Sequence, residues 1–427
     1  MCFKNIYVSL CGYVFKKNII QNLKKEKAMW LCVSKKYLSV VFVPTFVQNS
    51  SYQTIKLGDM HYKRMPIEIE APEGFGYENI DCNLSESSFT DQKLSDLGIN
   101  INDLLLLYGD HKGKPELREL IAQDLDLTPD DVLITSGAAT ALFILATSFL
   151  EKNDHVVIAK SNYATNIETP RAIGAKASYL DLCFEENYDL DLAKLSKLIT
   201  KRTKLVSLTY PHNPTGVQIN EEKLRAIIDL IERKGTYLLL DETYRDMSFG
   251  NKLPIAATLS DRVISVSSMS KSYGLPGIRI GWILSKNKAL METFLAAKEQ
   301  ICITNSVVDE EIAYQYLLKK EQFFAPVRAT ILKNFLVLKD FMAHQNVLEW
   351  VEPQGGCVCF PRIKSGIDVD FDKFHDILLN KYATYVGRGH WFEEEARYIR
   401  IGYSWDTTEK LRKGLNNILK AIDEAKR

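Results

Sequence analysis

Ser268-Met269-Ser270-Lys271-Ser272-Tyr273-Gly274-Leu275-Pro276-Gly277-Ile278-Arg279-Ile280-Gly281-Trp282 is the stretch from which the rest of the chain can be read. It follows the aliphatic run 263–266, so a lysine stands just after what reads as a buried strand. An amine in such a place can form an imine with a carbonyl compound once desolvation or a nearby cation lowers its pKa. Arg279 offers a planar fork that suits a dianionic phosphate, and Ser268 offers a hydroxyl. Taken alone, the segment also fits a lysine on a solvated loop.

Working outward, short apolar runs at 132–135, 156–159, 177–180, 205–209, 237–240, 263–266 and 278–284 alternate with helical stretches such as 164–173, 190–199 and 221–234. That alternation predicts βα units around a mostly parallel seven-stranded sheet. Residues 287–345 carry long helical patterns with few breakers, and the tail changes to strand-like 357–360, helical 371–379, strand-like 398–401 and helical 408–426. The expected organisation is an N-terminal segment over 60–104 that packs on a small domain and a large α/β domain over 105–300. A helical connector over 301–345 and a smaller α+β domain over 346–427 follow.

Open α/β sheets bind ligands where strands end, and three more strand ends carry candidate residues. In Tyr210-Pro211-His212-Asn213-Pro214-Thr215-Gly216, two prolines and a glycine set a sharp turn and aim Asn213 at the crevice, although a tight turn alone would account for the residues. Asp241 closes Leu238-Leu239-Leu240, and an aspartate among buried aliphatics is costly unless a cation meets it or it caps the next turn. Thr135-Ser136-Gly137-Ala138-Ala139-Thr140 opens a helix, where small residues let backbone N–H groups approach an anion.

The bulk composition fits an enzyme-sized globular protein: 427 residues, 46% hydrophobic, 25% charged and a formal net charge of +0. Neutrality gives no global field toward nucleic acid or an anionic membrane. The eight cysteines form no C-x-x-C pair or zinc-type cluster, so reduced thiols in a cytoplasmic protein are expected, with no metal site. No apolar run reaches the roughly 18–20 residues of a membrane helix. Residues 1–59 differ from the remainder, with many lysines, no arginine and only Glu26 and Asp59 as acids. They read as an appended extension of uncertain role, with Met60 or Met65 as the functional start, so that residues 60–427 are expected to suffice for a soluble, active product; the alternative is a small accessory or targeting element.

With the four strand-end segments together, the chain resembles the class I/II aminotransferases, fold type I of the pyridoxal-phosphate-dependent enzymes, from about residue 80 to the C-terminus. The resemblance implies an aspartate aminotransferase-like fold with pyridoxal 5'-phosphate as cofactor. It also implies amino acid and 2-oxo acid substrates and a homodimer whose sites lie at the subunit boundary. By the same resemblance Lys271 is the imine-forming lysine and Asp241 pairs with the ring nitrogen, while Asn213 and Tyr244 bond the ring's phenolate oxygen. Gly137, Ala138, Ala139, Ser268 and Arg279 hold the phosphate, and Tyr163 stacks on the ring. Tyr108, in Tyr108-Gly109-Asp110-His111-Lys112-Gly113, reaches the neighbouring subunit's phosphate. Arg400, in Tyr398-Ile399-Arg400-Ile401-Gly402, clamps the substrate α-carboxylate, and Asn213 also faces substrate.

Two segments depart from the family pattern. Val386-Gly387-Arg388-Gly389-His390-Trp391-Phe392 replaces a Pro-Gly-Ser-x-Phe type of loop; its Arg388, His390 and Trp391 either shape a substrate pocket or simply pack. Asn83-Leu84-Ser85-Glu86-Ser87-Ser88 replaces an Asn-Glu-Asn-Pro-like segment, and Glu86 either faces a cationic substrate side chain or has no such role. Transamination is the expected reaction. Elimination at Cβ by a C–S lyase, or cyclisation as in capreomycidine synthase-like relatives, needs the same lysine and aspartate. A more remote alternative is the aminotransferase-like sensor domain of a transcription regulator, for which residues 1–59 would have to supply the DNA-binding module. They lack arginine and evident helix-turn-helix spacing.

Overall fold

Each aliphatic run of the central region becomes a strand, in a computed structural model that describes residues 60–427; the extension over 1–59 lies outside the described residues. In chain order, β1 (Cys82–Leu84) joins a small sheet, while a large sheet takes β2 (Val132–Thr135), β3 (His155–Lys160), β4 (Lys176–Asp181), β5 (Thr203–Thr209), β6 (Tyr237–Asp241), β7 (Val263–Ser268) and β8 (Gly281–Leu284). The large sheet runs β2-β8-β7-β6-β5-β3-β4. β3, β4, β5, β6 and β7 pair in parallel, and β8 is antiparallel to both β2 and β7.

Burial on both faces explains why these strands read as continuous runs and not as alternating ones. Side chains alternate across a strand. In β6, Leu238 and Leu240 therefore enter one core cluster with Val206, Leu208 and Ile227, while Leu239 enters the opposite one with Leu205, Val266 and Phe294. The helix Glu221–Lys234 covers the first of these faces with Leu224, Ile227, Ile228 and Ile231 buried. Its ends are marked in the sequence. Asn220 accepts the N–H of Lys223, two glutamates open the first turn, and Gly235 ends the helix at φ 69°. Each fully buried aliphatic contributes about 1.5–3 kcal/mol.

The chain then runs through helices Lys288–Ile301, Val307–Leu318 and Lys320–Ala343 to β9 (Leu348–Glu349), β10 (Val358–Cys359), β11 (Arg362–Ile363), β12 (Thr384–Arg388) and β13 (Ile399–Gly402). The small sheet is ordered β1-β12-β13-β10, with β1 parallel to β12 and β13 antiparallel to its two neighbours. Helix Thr408–Glu424 packs on it closely enough that a Cβ at Gly414 would meet Leu84 at 2.8 Å. Pairing with β12 carries β1 and the residues after it about 300 positions along the chain, to the tail.

One sequence expectation is corrected. The run 278–284 forms a strand only over Gly281–Leu284, because Pro276–Ile278 closes a 3-10 turn and Arg279 turns left-handed at φ 47°. The Pro276-Gly277 pair breaks the ladder where periodicity alone saw continuity.

The parallel strands put Thr209, Asp241 and Ser268 at one edge, and the antiparallel β8 brings Gly281 opposite both Thr135 and Ser268. The first turn of helix Ala138–Phe149 also lies close against Gly281. A Cβ there would lie 2.6 Å from the Gly137 carbonyl carbon and 2.7 Å from the Ala138 nitrogen. Backbone atoms cannot rotate away. Gly281→Ala is therefore expected to destabilise the fold by roughly 1–3 kcal/mol, measured as a lower midpoint in urea unfolding at unchanged slope.

Candidate active site

The edge of the large sheet and the small sheet together enclose a cavity of about 320 Å³. Ten of the residues singled out from the sequence for cofactor or substrate line it: Ala138, Ala139, Tyr163, Asn213, Asp241, Tyr244, Ser268, Lys271, Arg279 and Arg400. They come from the ends of β2, β3, β5, β6 and β7, from the turn before β8, and from β13, which is why a single loop motif could not reveal their convergence. A larger recess of about 740 Å³ opens beside Leu120, Glu242, Asp246 and Lys320. Its Asp246 is already matched by Lys252, Lys320 and the Tyr273 hydroxyl, so that carboxylate is structural.

β7 ends at Ser268, and Lys271 follows three residues later. Between them Met269 is fully buried, and its N–H donates to the Ile280 carbonyl at 2.9 Å, which anchors the turn that carries the lysine. Lys271 Nζ donates to Ser87 Oγ at 3.2 Å, and Tyr244 donates to the Ser87 carbonyl at 3.0 Å. Asp241 is 6% exposed, and its Oδ1 accepts from the Thr243 N–H and hydroxyl at 3.0 and 2.6 Å. Burial pushes its carboxyl up from the usual range; the Thr243 bonds and the charge of Lys271 oppose that. No ion pair reaches Asp241 among the described residues.

Arg400 is 3% exposed. Its Nη2 donates to the Ser85 carbonyl at 2.6 Å and its Nη1 to Asn213 Oδ1 at 3.2 Å, while its Nε has no partner among the described residues. Burial lowers its pKa, and Tyr244 and Glu86 act in the opposite sense. A buried guanidinium with an open donor calls for an anionic ligand.

At the other end, Gly137 precedes helix Ala138–Phe149 with φ 84°, and a Cβ there would lie 2.6 Å from Arg279 Nη2. The arginine therefore lies over the N-terminus of a twelve-residue helix, and Ser268 lines the same end of the cavity. N–H groups, helix dipole and guanidinium make an anion cradle.

Tyr108 is not brought to this cavity; it stands 79% exposed. Trp391 and Glu86 do line it, whereas Arg388 and His390 do not. Those two face Glu70, at 3.7 and 3.1 Å, and Glu70 also accepts from Trp391 Nε1 at 2.7 Å. Sequence reasoning missed Ser87, which meets both Lys271 and Tyr244, and Glu68 and Glu73 of the short helices Pro66–Ile69 and Pro72–Phe75. The two Pro-started turns were visible as local signals, but nothing local places them at this cavity.

An open α/β sheet with a lysine, a buried aspartate and an anion cradle at its strand ends defines a cofactor-binding enzyme class. Residues 83–418 match the family model for aminotransferase class I and II, and the chain belongs to that family. It is 28% identical over 333 residues to the aspartate aminotransferase of Pyrococcus horikoshii, covering 75% of this chain and 84% of that one. It is 27% identical over 319 residues to the capreomycidine synthase of Streptomyces vinaceus, covering 74% and 80%. The crystal structure of a PLP-dependent aminotransferase from Streptococcus suis superposes with a TM-score of 0.78 at 25% identity, covering 86% of this chain and 100% of that one. Pyridoxal 5'-phosphate is the cofactor expected of the family, and the site fits it: a cradle for the phosphate at one end and a buried carboxyl without a cation at the other.

His212 sits beneath the Asn213 turn with Nδ1 2.8 Å from Thr215 Oγ1, and burial lowers its pKa from 6.5 to about 4. Between those values the unfolded chain takes a proton that the folded one refuses. Stability is expected to be full above pH 6.5 and to fall by on the order of 3 kcal/mol as pH drops toward 4. Buried His375, lowered to about 3, adds a slope of the same sign. His212→Asn should therefore reduce, and not abolish, the acid slope in urea unfolding followed against pH.

Proposed function

We propose that this chain is a pyridoxal-phosphate-dependent aminotransferase that moves an amino group between an L-amino acid and a 2-oxo acid. The convergence of Lys271, Asp241 and Arg400 on one cavity carries the reading. When bound, the cofactor supplies an electron sink for the charge left as an amino acid loses its Cα proton.

The chain's own residues do the rest. Lys271 Nζ is the amine that would hold the cofactor through its aldehyde, and it would serve as general base and then general acid for the substrate Cα proton. Asp241 would pair with the ring nitrogen and keep it protonated, which the electron sink requires. Asn213 and Tyr244 would bond the ring's phenolate oxygen, and Tyr163 would pack against the ring. Gly137, Ala138, Ala139, Ser268 and Arg279 hold the phosphate. Arg400 would bind the substrate α-carboxylate and so fix the orientation in which the Cα–H bond is presented.

The same reading makes the active form a homodimer, with Tyr108 serving the neighbouring subunit's phosphate. The run Leu105, Leu106, Leu107 and Tyr108, exposed by 72, 74, 55 and 79%, supports a covered face. Cyclisation is the second reading, favoured by the comparable similarity to a capreomycidine synthase. Acceptance of a 2-oxo acid as amino acceptor separates the two.

Lys271→Ala is expected to lose the visible colour of the bound cofactor, its fixation by borohydride, and turnover by at least about 10²–10⁴-fold. Asp241→Ala should still take up cofactor, weakly, with turnover reduced by several orders of magnitude. Absorbance, mass analysis of the reduced peptide and single-turnover rates check both. Full transamination without the lysine would refute the assignment.

A further inference from the structure

The charges that line the cavity do not balance once the proposed roles are filled, and what remains bears on the substrate; the inference rests on that proposed reading. Three cations line it, Lys271, Arg279 and Arg400, against four carboxylates, Glu68, Glu73, Glu86 and Asp241. The cofactor's aldehyde, its phosphate and the substrate α-carboxylate use the three cations, and the ring nitrogen uses Asp241. Glu68, Glu73 and Glu86 are left over. Among the described residues none of the three side chains forms an ion pair.

Glu86 is the best placed. Its neighbours Ser85 and Ser87 accept from Arg400 Nη2 at 2.6 Å and from Lys271 Nζ at 3.2 Å, and the charges of both Lys271 and Arg400 act on its carboxyl. Its Oε1 accepts from the Tyr77 hydroxyl at 3.3 Å. Burial pushes the Glu86 carboxyl up, and the charge of Glu73 adds to that, against Lys271 and Arg400. Glu68 and Glu73 are exposed where they line the cavity. The open Nε of the buried Arg400 independently marks the same cavity for a ligand with an anionic end.

We propose that the substrate taken here is an α-amino acid whose side chain ends in a cation, an ammonium or a guanidinium, received by Glu86 and Glu73 with Glu68 adding to the field. A side-chain carboxylate would meet three carboxylates and no free cation among the lining residues. Arg388 and His390, the basic residues of the nearby loop, are turned to Glu70. Opposite charge attracts and like charge repels more strongly in a partly desolvated cavity than in water.

The test uses the full chain loaded with pyridoxal 5'-phosphate, titrated with L-ornithine, L-lysine, L-arginine, L-norleucine, L-aspartate and L-glutamate. The visible spectrum gives apparent affinity, and single-turnover rates give kcat/KM. At least one cationic amino acid is expected to exceed norleucine tenfold or more, and aspartate and glutamate to fall below norleucine. The cationic-to-norleucine ratio should fall partly in Glu73→Gln, and tenfold or more when Glu86→Gln is added to it. Glu73 is exposed, so the single variant keeps the test free of folding losses, and borohydride fixation to Lys271 verifies the cofactor site in each. A preference for aspartate, glutamate or norleucine, or a ratio unmoved by the substitutions, overturns the proposal while leaving the cofactor reading in place. A wild-type chain that takes up no cofactor overturns both.

Discussion

Arg400 is the point on which the site depends. Its guanidinium is almost wholly buried, and it reaches from β13 of the small sheet to Asn213 beyond β5 of the large one and to Ser85 beyond β1. A charge in such a place is tolerated only where its donors are met. Protein oxygens meet Nη1 and Nη2, and Nε is left open beside the cavity. The same residue therefore ties three distant segments together and leaves one donor open at the cavity.

The electrostatic layout follows from where the strands end. Parallel strands place their C-terminal residues along one edge, and the antiparallel β8 presents its first residue, Gly281, to that edge. Because Gly281 has no side chain, the first turn of helix Ala138–Phe149 can approach, and its N–H groups face the space that Arg279 covers. Positive character collects there, and the buried Asp241 supplies negative character across the sheet edge. The carboxylates of 68, 73 and 86 come from the short N-terminal segments around β1, so they reach the cavity from a different part of the chain than Lys271, Arg279 and Asp241.

Much of the fold was legible because buried parallel strands leave an unmistakable local trace. Runs such as 237–240 are aliphatic on both faces, and helix Glu221–Lys234 announces its ends with Asn220 and Gly235. The strand read over 278–284 began too early because apolar periodicity does not register the turn made by Pro276 and Gly277. The side chains at strand ends were legible too, since a lysine, an asparagine or an aspartate beside such runs is chemically unexpected.

What the sequence determined by itself was the strands of the large sheet, the ends of well-capped helices such as Glu221–Lys234 and the presence of chemically unexpected groups at strand ends, because all of these depend on neighbours within a few residues. The short strands β1, β9, β11 and β12 left no such trace. Only the tertiary structure decided which groups share a cavity. Ser87 against Lys271, Glu70 against Arg388 and His390, and Glu73 near Glu86 are contacts between segments far apart in the chain or in separate turns. Such contacts are set by sheet order and packing, which no local periodicity encodes.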